Sequence, residues 1–258
     1  MTRRVHIVGC RRSGTTLMME LMWYAYAFTG RAEHEQSIFV PPPHGQDLYL
    51  SKKPPDTLHI ETVFRADEGL SLIAMLRDPR AVVTSRHPSR PDVYFSDYVR
   101  WSRYVDALRA FENHPRFLLV RFEDLVREPA HTQQRVEAQF SFLQRQRDFA
   151  SFPEGAEVGT RASRSLGGLR AVDTQRISGW RDHLPRIKGQ LADHPDLPER
   201  LIATGYEEDD AWTGVLEGVS ELRQGYKDGG PGGLRRFETR LRFARKTRRY
   251  LRRLREQA

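Results

Sequence analysis

A glycine-containing turn directly after the first apolar segment constrains the fold of this chain more than any other feature. Residues 5–9 (V-H-I-V-G) predict a short buried strand, and residues 14–28 predict a helix. The turn that joins them reads G-C-R-R-S-G-T-T from Gly9 to Thr16. In such a strand–turn–helix unit, the first N–H groups and the positive end of the helix dipole face an anion. Gly14 lets the backbone turn tightly beside that anion, so we predict a phosphate-binding loop.

The rest of the chain continues the alternation of strands and helices. Short apolar segments predict further strands at residues 48–50, 70–76 and 117–122. Helices are predicted to begin near Pro79 and to cover residues 94–111, 129–143, 177–187 and 197–206. Apolar strands that alternate with helices are typical of a parallel sheet covered on both faces. The predicted fold class is therefore α/β, a P-loop-type parallel sheet flanked by helices, with a C-terminal basic amphipathic helix.

The charge of the chain is concentrated at its C-terminal end. The 258 residues carry a formal net charge of +8, but residues 234–258 alone carry +9, so the other residues sum to −1. Residues 229–233 (G-G-P-G-G) precede this basic segment and predict a linker. We therefore divide the chain into an α/β domain over residues 1–228, a Gly/Pro linker over 229–233 and a basic amphipathic helical tail over 234–258.

The basic tail has a narrow apolar stripe at helical spacing. The stripe is formed by Leu234, Phe237, Leu241, Ala244, Leu251 and Leu254. A basic amphipathic helix can pack on its own domain, contact another subunit, lie on an anionic membrane or bind nucleic acid. We favour packing or a subunit contact, followed by a membrane surface. Nucleic acid is the least expected partner, because no aromatic-interleaved basic surface appears elsewhere.

Composition excludes several other classes of protein. The single cysteine, Cys10, rules out an intrachain disulfide framework and a multi-thiolate metal site, and no metal is predicted. The longest apolar stretch, residues 17–28, contains Glu20 and is shorter than the ~20 apolar residues that a bilayer crossing requires. The same glutamate argues against a signal peptide. We expect a cytoplasmic protein, which the basic tail could hold at a membrane surface.

The predicted phosphate loop lacks the lysine of nucleoside-triphosphate loops. Thr15 stands where that lysine would reach the β- and γ-phosphates, and the basic side chain is Arg12, two residues before Gly14. The loop is therefore expected to hold one phosphate with Arg12 beside it. An ATP-dependent phosphotransferase of the P-loop type stays open as an alternative. So does a non-catalytic anion-binding or membrane-surface protein whose functional part is the tail.

Two motifs resemble those of the sulfotransferases that use 3′-phosphoadenylyl sulfate (PAPS). The R-S-G-T-T sequence resembles the 5′-phosphosulfate loop of tyrosylprotein and bacterial sulfotransferases, and it consists of Arg12, Ser13, Gly14, Thr15 and Thr16. Arg77 follows the predicted strand at residues 70–76, and Ser85 comes eight residues later. In the family, an arginine and a serine at that spacing bind the 3′-phosphate. The resemblance therefore implies that all seven residues bind the donor.

Weaker matches extend the resemblance to residues 5–184. Residues 120–125 (V-R-F-E-D-L) resemble the family's V-R-Y-E-D-L segment, with Phe122 in place of its tyrosine. Residues 172–184 resemble the segment that follows the family's cofactor loop. The resemblance then makes residues 163–172 a flap over the adenine, with Arg164 and Arg170 as candidate partners of the 3′-phosphate.

The resemblance implies in-line transfer of a sulfuryl group from PAPS to a hydroxyl or amine acceptor, with 3′,5′-adenosine bisphosphate (PAP) as product and no metal. Arg12 would stabilise charge on the bridging oxygen, because a guanidinium stays charged and cannot act as an acid. Lys52 would be the second cation, since the family has K-x-P where this chain has Lys52, Lys53 and Pro54. Glu33, 21 residues after Arg12, matches the base of tyrosylprotein sulfotransferases.

Two questions stay open at the level of the sequence. Glu35 and His34 are close rivals of Glu33 as the base. The acceptor is undetermined, whether carbohydrate, lipid, protein tyrosine or small metabolite. Residues 28–45, 88–101 and the C-terminal third are expected to form its pocket. Phe95, Tyr98 and Trp101 could line that pocket, but their helical spacing favours core packing.

Overall fold

The architecture is a five-stranded parallel sheet with helices on both faces. The computed structural model describes residues 2–87, 90–155, 175–223 and 233–257. The strands are β1 (Arg3–Gly9), β2 (Gly30–Glu35), β3 (Leu48–Lys52), β4 (Leu70–Leu76), β5 (Arg86–His87), β6 (Arg90–Tyr94) and β7 (Phe117–Arg121). The main sheet has the order β2-β3-β1-β4-β7, while β5 and β6 form a separate antiparallel pair. The predicted α/β fold class, with a parallel sheet flanked by helices, is confirmed.

Helices form most of the connections between the parallel strands, whereas a loop joins β2 to β3. The helices are α1 (Thr15–Ala25), α2 (Glu61–Ala66), α3 (Pro79–Val83), α4 (Tyr98–Arg109), α5 (Phe122–Arg127), α6 (Pro129–Gln139), α7 (Phe152–Gly155), α8 (Gln175–Ser178), α9 (Leu184–Asp193), α10 (Leu197–Ala203) and α11 (Gly233–Gln257). Short 3-10 helices lie at Pro54–His59, Phe149–Ser151, Gly179–His183 and Ala211–Leu216.

The two central strands, β1 and β4, are buried on both faces, which is why they read as almost continuous apolar runs. On one face, Ile7 and Met75 pack in a cluster with Met18 of α1. On the other face, Leu72 packs in a cluster with Phe64 of α2. The sheet therefore separates two apolar layers and presents the carboxyl ends of β1, β3 and β4 at one edge.

Helix α4 begins later than its periodicity predicts. The predicted helix over residues 94–111 includes Tyr94, which instead ends β6. The helix begins at Tyr98 because the side chain of Asp97 accepts a hydrogen bond from the N–H of Arg100 at 2.7 Å. Such a cap satisfies an otherwise unpaired donor of the first turn and fixes where a helix starts. Part of the 94–111 prediction is therefore wrong, and the aromatic residue at its start belongs to a strand.

The C-terminal helix α11 packs against the domain through aromatic side chains. The ring of Phe243 stacks on His59 with centroids 3.7 Å apart, and the hydroxyl of Tyr250 donates to Asp67. The predicted apolar stripe is wrong in phase, because Leu241 is 44% exposed while Tyr250 is buried. Aromatic rings at residues 243 and 250 carry more contact area than the leucines from which the stripe was read.

The proposed domain boundaries remain predictions, since residues 229–232 lie outside the described part of the chain. Among the described residues, no helix combines the length and apolar character needed to cross a bilayer.

Candidate functional site

The loop between β1 and α1 has the geometry of an anion-binding turn. Its backbone is left-handed at Gly9 (φ +128°), Arg12 (φ +73°) and Gly14 (φ +89°). The N–H of Ser13 donates to the carbonyl of Cys10 at 3.2 Å, and its hydroxyl donates to the same oxygen. The bond from the N–H of Met18 to the carbonyl of Gly14, at 3.0 Å, starts the helix ladder. N–H groups before Met18 therefore face the loop, where an anion can accept from them.

Close packing explains why glycines occupy two of these positions. A Cβ atom at Gly9 would lie 2.3 Å from the carbonyl oxygen of Met75 on β4. A Cβ atom at Gly14 would lie 2.5 Å from the ring of Phe122, the first residue of α5. The loop is thus pressed against the ends of β4 and β7, and any side chain at these positions would push it away from them.

Arg12, Arg77 and Ser85 lie together, as the two motifs predicted. Nε of Arg12 donates to the Ser85 hydroxyl at 2.6 Å, and Nη1 of Arg77 donates to the Arg12 carbonyl at 3.0 Å. The guanidinium of Arg77 lies over the ring of Phe122, with Cζ 4.4 Å from the centroid. Nε1 of Trp101 donates to the carbonyl of Arg77 at 2.9 Å. Residues from three separate segments therefore form one half-buried basic site beside the loop.

Lys52 closes the other side of the loop. It ends β3, pairs in register with Ile7 of β1, and is buried. Its Nζ donates to the hydroxyl of Thr16 at 3.1 Å. Because Lys52 shares the α1 face of the sheet with Ile7, its ammonium reaches the start of α1. The structure therefore brings Lys52 to the loop. Lys52 is also the lysine that the K-x-P spacing of the family resemblance selects over Lys53.

The two candidate glutamates lie at different depths along the edge strand β2. In the pairing with β3, Arg31 is opposite Leu50 and Glu35 is opposite Lys52, so two extra residues lie in β2 between these pairs. Glu33 falls within this irregular stretch and is exposed. Glu35 is half-buried, and the next N–H, of Gln36, donates to the Lys52 carbonyl at 3.1 Å. Bulges often re-aim side chains next to active sites, and here the register brings Glu35 beside Lys52.

A buried polar network fixes the strands behind Lys52. Nδ1 of His6 is 2.8 Å from the hydroxyl of Ser51, and Nε2 is 3.5 Å from the carboxylate of Asp56. Nε of Arg4 donates to the same serine at 2.8 Å. Burial lowers the pKa of His6 to about 4. Serine, histidine and aspartate also form nucleophilic triads, but these side chains are sealed from solvent, so the network holds Ser51 and its neighbour Lys52 in place.

A second buried cluster, centred on Arg80, lies three residues after Arg77. Sequence reasoning missed it. Arg80 pairs with Asp78 at 2.7 Å and with Glu207 at 2.5 Å. Its guanidinium also lies 4.3 Å and 4.8 Å from the ring centroids of Trp180 and Trp212. The signal that could have found Arg80 is the R-D-P-R sequence of residues 77–80, which places a second arginine at the start of α3.

Glu123, also missed, connects this cluster to α5. Its Oε1 accepts from the N–H of Asp78 at 3.1 Å, and its Oε2 accepts from the hydroxyl of Tyr206 at 3.3 Å. Burial raises the pKa of the Glu123 carboxyl. Because Asp78 follows Arg77 directly, these bonds fix the backbone from which the Arg77 side chain extends.

The other predicted site residues lie either outside the described residues or in the core. Arg170, Arg164 and the flap over residues 163–172 lie outside the described residues. Tyr98 and Trp101 are buried in the core, as their helical spacing favoured. Within the described ranges, no group of three or more His, Cys, Asp or Glu side chains could hold a metal ion.

Comparison with known proteins matches part of the chain to one family model. A family model described as "Sulfotransferase family" matches residues 26–142, just under half of the chain. This range contains Glu33, Lys52, Arg77 and Ser85, whereas the loop of residues 9–16 precedes it. A search among curated proteins found no match.

Two solved sulfotransferase structures align with most of this chain. Mouse sulfotransferase SULT7A1 complexed with PAP aligns with a TM-score of 0.51 at 11% identity, over 84% of this chain and 89% of the other. The sulfotransferase domain of the olefin synthase from Synechococcus PCC 7002 aligns with a TM-score of 0.47 at 12% identity, over 70% of this chain and 88% of the other. The mouse structure supports the fold assignment.

Proposed function

We propose that this chain is a sulfotransferase and that its sulfuryl donor is PAPS. The observation that carries the proposal is the hydrogen bond from Arg12 to Ser85, at 2.6 Å. It joins the loop at the start of α1 to the pair of residues that follows β4. Two anion-binding groups therefore border one space, as a ligand with separate 5′- and 3′-phosphates requires.

The donor set fits that ligand chemically. The N–H groups at the start of α1, the hydroxyl of Thr16 and the ammonium of Lys52 would hold the 5′-phosphosulfate. Arg77 and Ser85 would hold the 3′-phosphate, with the Arg77 guanidinium supported by Phe122. Arginine is well suited to this task, because its planar fork matches the geometry of a phosphate. Bound PAPS supplies the activated sulfuryl group that is transferred.

The side chains of this chain act through position and charge. Arg12 lies in the loop and Lys52 contacts its Thr16, so their positive charges would stabilise the negative charge that develops between the sulfuryl group and the leaving phosphate. The buried network of His6, Ser51 and Asp56 keeps Lys52 from moving away from the loop. Such fixed charges need no reorganisation during the reaction, which makes them effective.

A glutamate of β2 is the proposed base for a hydroxyl acceptor. The family resemblance favours Glu33, whereas the strand register favours Glu35 beside Lys52. Glu33→Gln and Glu35→Gln distinguish them, because glutamine keeps the size of the side chain and removes its basicity. Loss of the base should lower kcat by about 100-fold or more while PAP binding is retained. If both variants keep full turnover, the base lies elsewhere.

Calorimetric titration of PAP, with ATP as the control ligand, tests the donor. We expect PAP to bind at micromolar concentration or tighter and ATP to bind much more weakly, because Thr15 replaces the lysine that reaches the outer phosphates. Arg77→Ala should weaken PAP binding by about tenfold or more, whereas Arg127→Ala, at an exposed position of α5, should not change it. Tight ATP binding without PAP binding would overturn the proposal in favour of a phosphotransferase.

Turnover of matched lysine variants tests the second cation. Lys52→Met should abolish most sulfuryl transfer, and Lys53→Met should retain it, because Lys52 is the lysine that contacts Thr16.

The acceptor stays undetermined, and the cytoplasmic location predicted from the sequence stays a prediction. An acceptor screen with radiolabelled PAPS addresses the first, and fractionation of cells addresses the second.

A further inference from the structure

The outer side of α11 is a continuous basic surface. Among the side chains of this helix that the structure describes, seven arginines are exposed, and we call them the arginine face: Arg240, Arg242, Arg245, Arg248, Arg249, Arg252 and Arg255. The aromatic side chains that pack on the domain, Phe243 and Tyr250, lie on the opposite side. Packing on the domain therefore occupies the apolar side of the helix and turns the arginine face outward.

Four of these arginines form a straight row. Residues 245, 248, 252 and 255 follow the alternating three- and four-residue spacing that keeps side chains on one side of a helix. The row is about 15 Å long, at the 1.5 Å rise per residue of an α-helix. Neighbouring like charges at this spacing destabilise a helix. The exposed pair between Arg252 and Glu256, at 3.7 Å, offsets little of that repulsion. An external anionic partner would offset it.

An exposed apolar loop lies beside the same helix. Residues 40–45 read V-P-P-P-H-G, and we call them the proline loop. Val40 is 48% exposed, and the three prolines border a groove whose other wall includes Tyr250, Arg253 and Leu254 of α11. The proline loop therefore flanks α11 beside Arg253, at the border between the packed side of the helix and the arginine face.

The flanks of α11 favour a planar partner over a nucleic acid. In a DNA groove, phosphates would lie on both sides of the helix, and the neighbouring elements would need to be basic. The neighbour α2 instead carries Glu61 paired with Arg65 at 3.1 Å, and Asp67 follows it. Residues before the tail carry a net charge of −1. A bilayer surface touches only the outermost face, and it can also accept the apolar side chain of Val40.

We infer that the arginine face and the proline loop bind the surface of a membrane rich in anionic lipids. Arginines near such a surface are attracted within about one Debye length, roughly 10 Å at 0.1 M salt. Basic residues alone bind reversibly, and a second, apolar contact strengthens the attachment. The inference is independent of the proposed donor, because it rests on α11 and residues 40–45 and on none of the residues of the loop.

Co-sedimentation of the full chain with lipid vesicles tests this inference. We expect binding to vesicles of phosphatidylcholine with phosphatidylserine, no binding to phosphatidylcholine alone, and loss of binding at high salt. R248Q/R252Q should bind about 30-fold more weakly, from the known contribution of each arginine near an anionic surface. R109Q/R127Q, which removes two exposed arginines elsewhere, should lose far less. Val40→Ser should reduce binding by a few-fold.

Two further measurements separate this outcome from misfolding and from other partners. R248K/R252K restores the charge and should restore vesicle binding, and all variants should keep PAP affinity. The inference is overturned if the chain ignores the anionic vesicles, if R248Q/R252Q binds them as the wild type does, or if a duplex oligonucleotide binds in preference to the vesicles. Loss of PAP binding with intact vesicle binding would instead contradict the proposed donor alone.

Discussion

Gly14→Ala gives the sharpest test of how the loop is built, because two separate costs can be assigned to one methyl group. Gly14 has φ +89°, where an L-residue costs roughly 1–2 kcal/mol. The new Cβ would also lie 2.5 Å from the ring of Phe122, which is buried. Overpacking of a filled site typically costs about 1–3 kcal/mol. We therefore expect a total loss of about 2–5 kcal/mol in the free energy of unfolding.

Gly218→Ala is the matched control for the backbone cost. Gly218 also has positive φ, at +69°, but a Cβ there meets no atom within 4 Å. Its substitution should cost only the roughly 1–2 kcal/mol of the left-handed backbone. Urea unfolding of both variants measures the difference, which is the contribution of the contact with Phe122. Phe122→Leu should cost less in the Gly14→Ala background than in the wild type, because it removes the ring that the methyl group meets.

Ligand binding provides the second measurement for the same substitution. Displacing Phe122 removes the surface on which Arg77 lies, 4.4 Å from the ring centroid. Gly14→Ala should therefore lose PAP affinity as well as stability, while Gly218→Ala loses stability alone. The reasoning is refuted if Gly14→Ala unfolds with the free energy of Gly218→Ala and binds PAP as the wild type does.

Three further predictions concern buried groups. The pKa of His6 is about 4 when folded and 6.5 when unfolded, so the unfolded state binds more protons between these values and stability falls by about 3 kcal/mol as pH is lowered through them; His6→Gln should flatten this dependence in urea titrations. Burial raises the pKa of Cys10 to about 12, so iodoacetamide at mild alkaline pH should modify it only after unfolding, as mass spectrometry would detect. Arg80→Met should cost about 3 kcal/mol in thermal or urea unfolding, because it leaves Asp78 and Glu207 without their cation; a loss near zero would contradict that assignment.

The central strands and the loop could be predicted because their signals are local. Residues 70–76 are apolar except for Ser71 and form β4 with the same bounds, and Gly9 and Gly14 mark two of the three left-handed positions of the loop. The placement of Arg77 and Ser85 after β4 needed only the end of that strand and the eight-residue spacing of the family resemblance. These features depend on short stretches of sequence, so no information on distant contacts was required.

Features that depend on tertiary contacts could not be predicted. β2 reads G-R-A-E-H-E and has no apolar alternation, so only its pairing with β3 makes it a strand. The inward side of α11 was assigned to leucines, whereas the contacts are made by Phe243 and Tyr250 because His59 and Asp67 lie opposite them. Arg80 was overlooked because its partners come from residues 180, 207 and 212, about a hundred residues further along the chain.

The irregular register of β2 bears on which glutamate, Glu33 or Glu35, is the catalytic base. Counting from Arg12 selects Glu33, and such a count assumes that the intervening chain follows the path it takes in the relatives. Two extra residues between Arg31 and Glu35 shift the register of β2 against β3, so that Glu35 and not Glu33 is opposite Lys52. A base must reach the acceptor close to the cation that stabilises the transferred group. The position of a glutamate opposite Lys52 is therefore a better guide to the base than its distance from Arg12 along the sequence. We expect Glu35→Gln to lower turnover more than Glu33→Gln does.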